Sequence, residues 1–541
     1  MRAGECAKDK NIKPSDDKEK GVRIVVRLEG HSSYYQISDV LRLFTGEIPK
    51  EEDGRVVCDA TSIFPGREEL FSEEGVLTIL SRVSEEWVET VVEKENDGGH
   101  ANSEGESPAV ISIQSAPQIF IDRKDLALPV SREIKIQLYF LLSRLLKMDF
   151  PWGSLTGIRP TQVARELGSE EEMQEIYGVR SDKAHLAFLT KDREDAVLSG
   201  SSEDALHVYI GIPFCPSRCS YCSFIAQEAP RKTEILPAYV DAVLTEMDLV
   251  LPKITSRIET LYVGGGTPTV LPEVLFEKFM RGVLSHPEFK DVKEICVEAG
   301  RPDTITERKL AVLSELGVKR ICINPQTLCD ATLERVGRKH SAKDFTDAFE
   351  LARKMGFSVI NTDLIAGLPG ESTEEFCESL MRIIALHPEN VTVHALSKKR
   401  RASLRREEVV RSEEDGTKRI EDMLSFSSQK LMEAGYYPYY MYKQKDTAGG
   451  HENIGYCLDG SECIYNVAMM SDQRSVLSFG AGGMSKRVFL NSSEENTTKG
   501  TPSANVRIER CPCIKEPTQY ISEVAAMAER KIRFFEGDVH L

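Results

Sequence analysis

From residue 207 onward, short apolar runs alternate with longer amphipathic ones. The apolar runs are 207–212 (HVYIGI), 260–263 (TLYV), 294–298 (EICVE), 320–323 (RICI), 358–363 (SVINTD) and 391–396 (VTVHAL). Between them, 237–252, 272–284, 306–316, 342–355 and 373–386 read as amphipathic helices. Strands and helices alternating at this interval predict right-handed βαβ units and a parallel sheet. Six such units suffice for a curved, incomplete barrel, an α/β fold whose chemistry sits at the carboxyl ends of the strands.

The pattern differs on either side. Val22–Leu28 alternates as a strand, 37–44 reads as a short helix, and 131–147 (SREIKIQLYFLLSRLLK) as a stronger helix opening at a serine suited to an N-cap. The turn PWGSLTGIRPT, starting at 151, feeds another helix. Residues 1–20 are charged and read as disordered, and 94–108 as an exposed loop. After about 397 the alternation stops, giving way to a basic and then acidic stretch, a helix at 418–434, the aromatic run GYYPYYMY (435–442), a polar loop at 491–505 and a helix at 517–535. The expected organisation is an α+β amino-terminal domain over 21–200, the barrel over 201–396, and a mostly helical or mixed domain over 397–541 on the barrel's open side.

Composition narrows the function. A chain of 541 residues suits two or three domains. Its 41% apolar and 29% charged residues are those of a soluble globular protein. A net charge of −17 disfavours nucleic acid as the main partner. No run approaches the roughly 18–20 apolar residues of a membrane span, and the first 20 residues lack the apolar core of a secretory signal, so a cytoplasmic location is expected. There, the 13 cysteines point to metal or redox chemistry rather than a disulfide frame. Cys58, Cys296, Cys322 and Cys377 read as small core residues.

Cys215, Cys219 and Cys222 follow the first strand in Tyr209-Ile-Gly-Ile-Pro-Phe-Cys215-Pro-Ser-Arg-Cys219-Ser-Tyr-Cys222. Three thiolates within eight residues can converge on one [4Fe–4S] cluster and leave its fourth iron open. An open iron can bind the amino and carboxylate groups of S-adenosylmethionine (SAM). The plainer alternative is a zinc knuckle, but zinc takes paired cysteines or histidines to complete four ligands, and none is near. Gly264-Gly-Gly-Thr267 follows the second strand, where missing Cβ atoms let backbone approach a ligand; alone, such a turn is often just a turn. Glu298 ends the third strand, suited to a ribose hydroxyl or an ammonium group, or merely a surface acid. Asp363 closes the fifth, where an acid must pair or bind.

C-x₃-C-x₂-C after a strand resembles the signature of the radical SAM superfamily. Within it, TGIRPT, YIGIPFCPSRCSYCSF, GGGTPT, VEAGRPDTIT, TDLIAGLPGE and GAGGMSK are similar to the oxygen-independent coproporphyrinogen III oxidase group, in its HemZ-like branch. The resemblance implies a [4Fe–4S] cluster on Cys215, Cys219 and Cys222. It implies SAM contacts at Tyr209, Tyr221, Gly265, Gly266, Thr267, Glu298, Gln326, Arg338 and Asp363, and looser apolar ones at Val393 and Met484. The implied reaction is radical oxidative decarboxylation of two coproporphyrinogen III propionates to vinyl groups, fed by a low-potential donor such as flavodoxin or ferredoxin. Relatives with a similar core include haem-trafficking chaperones. The oxidases proper carry a further cysteine where this chain has Phe224, and a histidine where it has Gly211. His394 and His451 read as hydrogen-bonded rim or core residues, Cys511 and Cys513 as a coincidental pair, and the basic run 398–406 as a solvated face.

Overall fold

In the computed structural model, the described residues are 22–60, 70–72, 75–93, 119–122, 125, 128–157, 159–222, 226–230, 234–397, 413–444, 447–490 and 506–536. The expected disordered start, the loops 94–108 and 491–505, the basic run 398–406 and Phe224 lie outside them. The chain divides into two compact units, 1–149 and 150–541.

The first unit runs β1 (Val22–Glu29), α1 (Tyr34–Thr45), β2 (Lys50–Glu52), β3 (Arg55–Ala60), β4 (Val76–Val83), β5 (Trp87–Glu93), β6 (Ile119–Asp122) and α2 (Val130–Leu146). Its sheet has the order β2-β3-β1-β4-β5-β6, with β1 parallel to β4 and the other pairs antiparallel. The two helices bury apolar stripes that meet through Phe44 and Tyr139, ring centroids 5.7 Å apart. Gln137 in α2 accepts from Thr90 and donates to the Val88 carbonyl, both at 3.1 Å. The expected α+β character holds; the serine cap does not, because α2 is entered from Pro129, with no side-chain cap.

The second unit begins with α3 (Pro160–Glu166), α4 (Glu170–Tyr177) and α5 (Ser181–Ser199). The parallel core follows: β7 (Leu206–Ile212), the short β8 (Phe214–Cys215) and β9 (Gln227–Glu228), α6 (Ile235–Val250), β10 (Ile258–Gly265), α7 (Glu273–Leu284), β11 (Glu294–Gly300), α8 (Glu307–Glu315), β12 (Arg320–Ile323), α9 (Asp330–Arg335), α10 (Ala342–Lys354), β13 (Val359–Ala366), α11 (Thr373–Ala385) and β14 (Asn390–Ala395). Strands β7, β10, β11, β12, β13 and β14 pair in that order, all parallel. Each expected strand and crossover helix lies within about three residues of its predicted bounds. Ser341 and Ser372 start α10 and α11 with reciprocal capping boxes.

The domain boundaries differ from the expectation. Residues 150–200 belong to the barrel unit, because α5 carries a buried Lys183 whose ammonium donates at 2.6 Å to Glu452, some 270 residues on, while the Trp152 indole donates to the same carboxylate at 2.6 Å. Nor is 397–541 a separate domain. After α12 (Glu413–Glu433) come β15 (Tyr437–Lys443), β16 (Glu452–Cys457), α13 (Ile464–Ser471), β17 (Ser475–Phe479), β18 (Met484–Leu490), β19 (Val506–Pro512), α14 (Pro517–Ser522) and α15 (Val524–Glu536). These strands extend both edges of the barrel sheet, giving β15-β16-β14-β13-β12-β11-β10-β7-β17-β18-β19. The edges of a six-stranded open sheet would otherwise leave backbone groups unpaired.

Candidate cluster and cofactor site

Interior positions follow from strand alternation. In β7, β10 and β11 they are Tyr209, Tyr262 with Gly264, and Cys296 with Glu298; in β12, β13 and β14 they are Cys322, Asp363, and Thr392 with His394.

The cysteine loop leaves the carboxyl end of β7 and is tied to the far side of the barrel. The Ser220 amide donates to the Val336 carbonyl at 3.0 Å, and the Ser217 hydroxyl to that of Gly337 at 3.1 Å. Cys222 closes a turn onto Cys219, N to O 3.1 Å. Cys215 is half-buried, and its thiol is pushed up to about 11 by burial and by the neighbouring Cys222 and Cys219; the Thr267 hydroxyl, 3.7 Å from its sulfur, and Arg301 pull the other way. Arg301 was not singled out from the sequence. Only 3% exposed, it donates to Cys219 Sγ at 3.6 Å and to the Ser217 hydroxyl at 3.2 Å, and Asp303 holds it at 2.9 and 3.1 Å. Its signal lay in Arg301-Pro-Asp303 directly after a strand: an arginine with its own counter-ion two residues on is built to be buried.

The glycine turn is packed against this loop. A Cβ on Gly266 would lie 2.5 Å from the Phe214 carbonyl oxygen and 2.9 Å from Cys215 Sγ. Gly265 adopts φ +112°, which side chains disfavour, and its amide donates to Glu298 at 3.2 Å. The other Glu298 oxygen accepts from the Tyr262 hydroxyl at 2.6 Å. Burial raises the Glu298 carboxyl to about 7, against the Tyr262 hydrogen bond, with Asp363 opposite adding to the rise. At Gly211, a side chain would start 3.2 Å from the Tyr209 ring, so the ring occupies space next to that position.

Beyond β12, Gln326 sits at φ +71°, uncommon for a residue with a side chain, and its amide donates to the Asp363 carbonyl at 3.0 Å. Arg338 donates to the Tyr221 hydroxyl at 3.2 Å and to the Asn324 carbonyl at 2.5 Å. Gln326 Oε1, Asn324 Oδ1 and Arg338 Nε are buried without a partner. Buried polar atoms are nearly always paired, so three orphans around one strand end fit a polar ligand. Asp363 lies 3.8 Å from His394 Nε2, and His394 Nδ1 lies 3.2 Å from the Tyr442 hydroxyl.

The structure therefore gathers Tyr209, Cys215, Cys219, Tyr221, Cys222, Gly265, Gly266, Thr267, Glu298, Gln326, Arg338 and Asp363 at the carboxyl ends of β7 to β13. Of the two looser apolar positions, one turns its side chain away from them. Val393 is buried between Thr392 and His394, so alternation turns it to the opposite face of β14. Met484 opens β18 opposite Pro512 and is 38% exposed. His394, set aside in the sequence, does reach the group. His451 is buried, and both ring nitrogens lack partners. Cys511 and Cys513 are buried in and just beyond β19.

The residues fit an iron–sulfur cluster with a polar co-ligand. Among the described residues no three His, Cys, Asp or Glu side chains close around a single ion. A cuboidal cluster places each thiolate on a different iron, so its sulfurs stand farther apart than around one ion. No helix among the described residues is long and apolar enough to cross a membrane.

Residues 209–383 match the sequence pattern of the Radical SAM superfamily. The oxygen-independent coproporphyrinogen-III oxidase-like protein HemZ of Bacillus subtilis is 36% identical over 405 residues, covering 71% of this chain and 77% of that protein. The heme chaperone HemW of B. subtilis is 37% identical over 194 residues, 35% of this chain and 49% of the chaperone, so the match spans about half its length. The coproporphyrinogen III oxidase HemN of Escherichia coli, a solved structure described as a radical SAM enzyme, aligns with a TM-score of 0.47 at 21% identity, over 62% of this chain and 72% of that one.

Proposed function

The chain belongs to the radical SAM superfamily, in the HemZ-like branch of the oxygen-independent coproporphyrinogen III oxidase group, and from that premise we propose that it oxidatively decarboxylates the propionates of coproporphyrinogen III or a closely related tetrapyrrole. The observation that carries the reading is the contact of the glycine turn with the cysteine loop, where Gly266 leaves no room for a side chain beside Cys215. It brings a backbone that can receive a ligand next to a sulfur that can hold an iron.

When bound, the [4Fe–4S] cluster and SAM supply the one-electron chemistry that removes carbon dioxide and leaves a vinyl group. In this reading Cys215, Cys219 and Cys222 hold three irons. The neighbouring Arg301 guanidinium steadies the Cys219 thiolate. The Gly265–Thr267 backbone and Glu298 receive the SAM amino group, Asp363 a ribose hydroxyl, and the orphaned atoms of Gln326 and Arg338 its remaining polar groups. Tyr209 and Tyr221 wall the site. Positioning and exclusion of water, rather than acid–base work, carry the rate. The electron comes from a low-potential donor such as flavodoxin or ferredoxin.

The test is anaerobic reconstitution with iron and sulfide, followed by turnover with coproporphyrinogen III. Vinyl product and 5′-deoxyadenosine should appear together, and absence of SAM cleavage under reducing conditions would sink the reading. Cys219→Ala should abolish bound iron; unchanged iron would exclude this ligand set. The similarity to haem chaperones, together with Phe224 and Gly211 in place of the oxidases' cysteine and histidine, favours haem binding as the second reading. Stable haem binding without porphyrinogen turnover would select it.

A further inference from the structure

Beneath the candidate site, tyrosines and thiols form a continuous line. The Tyr209 hydroxyl stands 3.3 Å from where a Gly265 Cβ would project, so its phenol borders the glycine turn. Its ring stacks on Tyr262, centroids 6.2 Å apart and planes 20° apart, and Tyr262 stacks on Tyr465 at 4.5 Å. The Tyr262 hydroxyl lies 4.0 Å from Cys322 Sγ, which lies 3.7 Å from Cys296 Sγ. Tyr262, Tyr465, Cys322 and Cys296 are all buried.

This composition is costly without a purpose. Three stacked phenols and two thiols occupy the barrel interior where branched aliphatic side chains ordinarily fill the layers. Phenols and thiols share one chemical property that aliphatic residues lack: their O–H and S–H bonds surrender a hydrogen atom more readily than a C–H bond does. Tyr262 also has what a phenol needs to be oxidised without leaving a buried cation, a carboxylate acceptor for its proton 2.6 Å away on Glu298.

The geometry points to a hydrogen-atom relay, running from Tyr209 through Tyr262 to Cys322, that quenches a carbon-centred radical formed in the site when no substrate is there to meet it. The inference rests on the proposed radical chemistry. The radical carbon gains a C–H bond, and Tyr209 gives up its O–H hydrogen. The hole passes down the stack as an electron: Tyr262 reduces the Tyr209 radical and lends its O–H proton to Glu298, while Tyr209 takes a proton from solvent and Glu298 returns one. Tyr262 then recovers a hydrogen from Cys322, so the S–H bond is the one finally broken. Cys296, in van der Waals contact, shares the resulting sulfur radical. One electron from the same low-potential donor and one proton from solvent restore the thiol, so the net change is one radical carbon reduced by one electron and one proton.

The hydrogens of phenols and thiols exchange with solvent, whereas those of C–H bonds do not. Enzyme reconstituted and equilibrated in D₂O, then reduced with SAM but no tetrapyrrole, should release 5′-deoxyadenosine carrying one deuterium, read by mass spectrometry. Over many turnovers per enzyme, Tyr262→Phe and Cys322→Ser should each lower the deuterated fraction several-fold, because Tyr209 still delivers its own deuterium once but is no longer recharged. In Cys322→Ser the hole has no thiol to reach, so samples frozen during turnover should also show a stronger tyrosyl signal by electron paramagnetic resonance. Unlabelled 5′-deoxyadenosine from the unaltered protein would overturn the relay. So would full labelling in both variants with no added tyrosyl signal. If the unaltered protein makes no 5′-deoxyadenosine at all, the proposed function fails instead.

Discussion

Arg320 and Arg338 are both buried arginines of the barrel, one at each end of the same strand region, and they are satisfied to different degrees. Arg320 opens β12 on the barrel floor. Its five N–H groups reach Asn361 Oδ1 at 2.9 Å, Asn390 Oδ1 at 2.7 Å, the carbonyls of Ser461 and Glu462 at 3.0 and 2.8 Å, and Glu294 at 3.1 Å. Glu294 is completed in turn by the amides of Ile464 and Tyr465, both at 3.2 Å. Arg338, at the mouth, keeps Nε without a partner, beside the unpaired oxygens of Asn324 and Gln326. One end of the barrel is a closed network; the other is a network with places left open. The same strands thus serve stability below and ligand recognition above, the division expected of barrels built from βα units.

The largest effect that follows is on the floor. Arg320→Met should cost about 3–5 kcal/mol of folding stability, because it strands the Glu294 carboxylate in a dry interior. Denaturant unfolding of the cofactor-free chain measures it. Adding Glu294→Leu should recover much of that loss, since removing both charges is far cheaper than orphaning one. A loss below ~1 kcal/mol for the single variant would mean that the floor is wetter than its hydrogen bonds imply.

The mouth should respond in the opposite sense. Arg338→Met removes two hydrogen bonds, about 1–2 kcal/mol of stability. Its main consequence should be SAM affinity, weakened roughly tenfold or more, or about 1.4 kcal/mol, by equilibrium binding to the reconstituted protein. Equal stability losses at Arg320 and Arg338, with SAM binding untouched, would erase the contrast between the two ends.

The sequence made some of this legible and concealed the rest for identifiable reasons. Strands β7 and β10 to β14 are buried on both faces, so they appear as continuous apolar runs that need no partner to be recognised. The cysteines and the glycine turn carry their chemistry in local spacing. Arg301 reaches Cys219 across 82 positions, and nothing local marks that partnership apart from Asp303. The sheet extensions β15 to β19 were hidden for a related reason: pairing at an edge is decided by the strand already there, as when β16 finds β14 antiparallel and β17 finds β7 parallel. Val393 was expected only through the family resemblance, and the hydrogen bond of Thr392 to Tyr440 and the approach of His394 to Asp363 fix the other parity as interior.

The finest test of the open mouth concerns Glu298. A carboxyl in the unfolded chain ionises near 4.3, whereas in the fold Glu298 holds its proton to about 7, chiefly because it is buried and then because Asp363 faces it. Between those values the folded chain carries the extra proton. Stability from this group is therefore complete below about pH 4.3 and declines as pH rises toward 7, by at most about 1.4 kcal/mol per pH unit. Glu298→Gln should flatten that part of the pH–stability curve of the cofactor-free chain. Arg320→Met should lower the curve most at the high-pH end, because the stranded Glu294 carboxylate relieves part of its cost by taking a proton as pH falls. Bound SAM should sharpen the difference. An ammonium or hydroxyl donor placed at Glu298 favours the ionised form, so the reconstituted protein with SAM should lose the decline that the cofactor-free chain shows. If Glu298→Gln leaves the slope unchanged, the carboxyl is already solvated and ionised in the empty fold, and the polar atoms above β12 are open to water rather than held in reserve for a ligand.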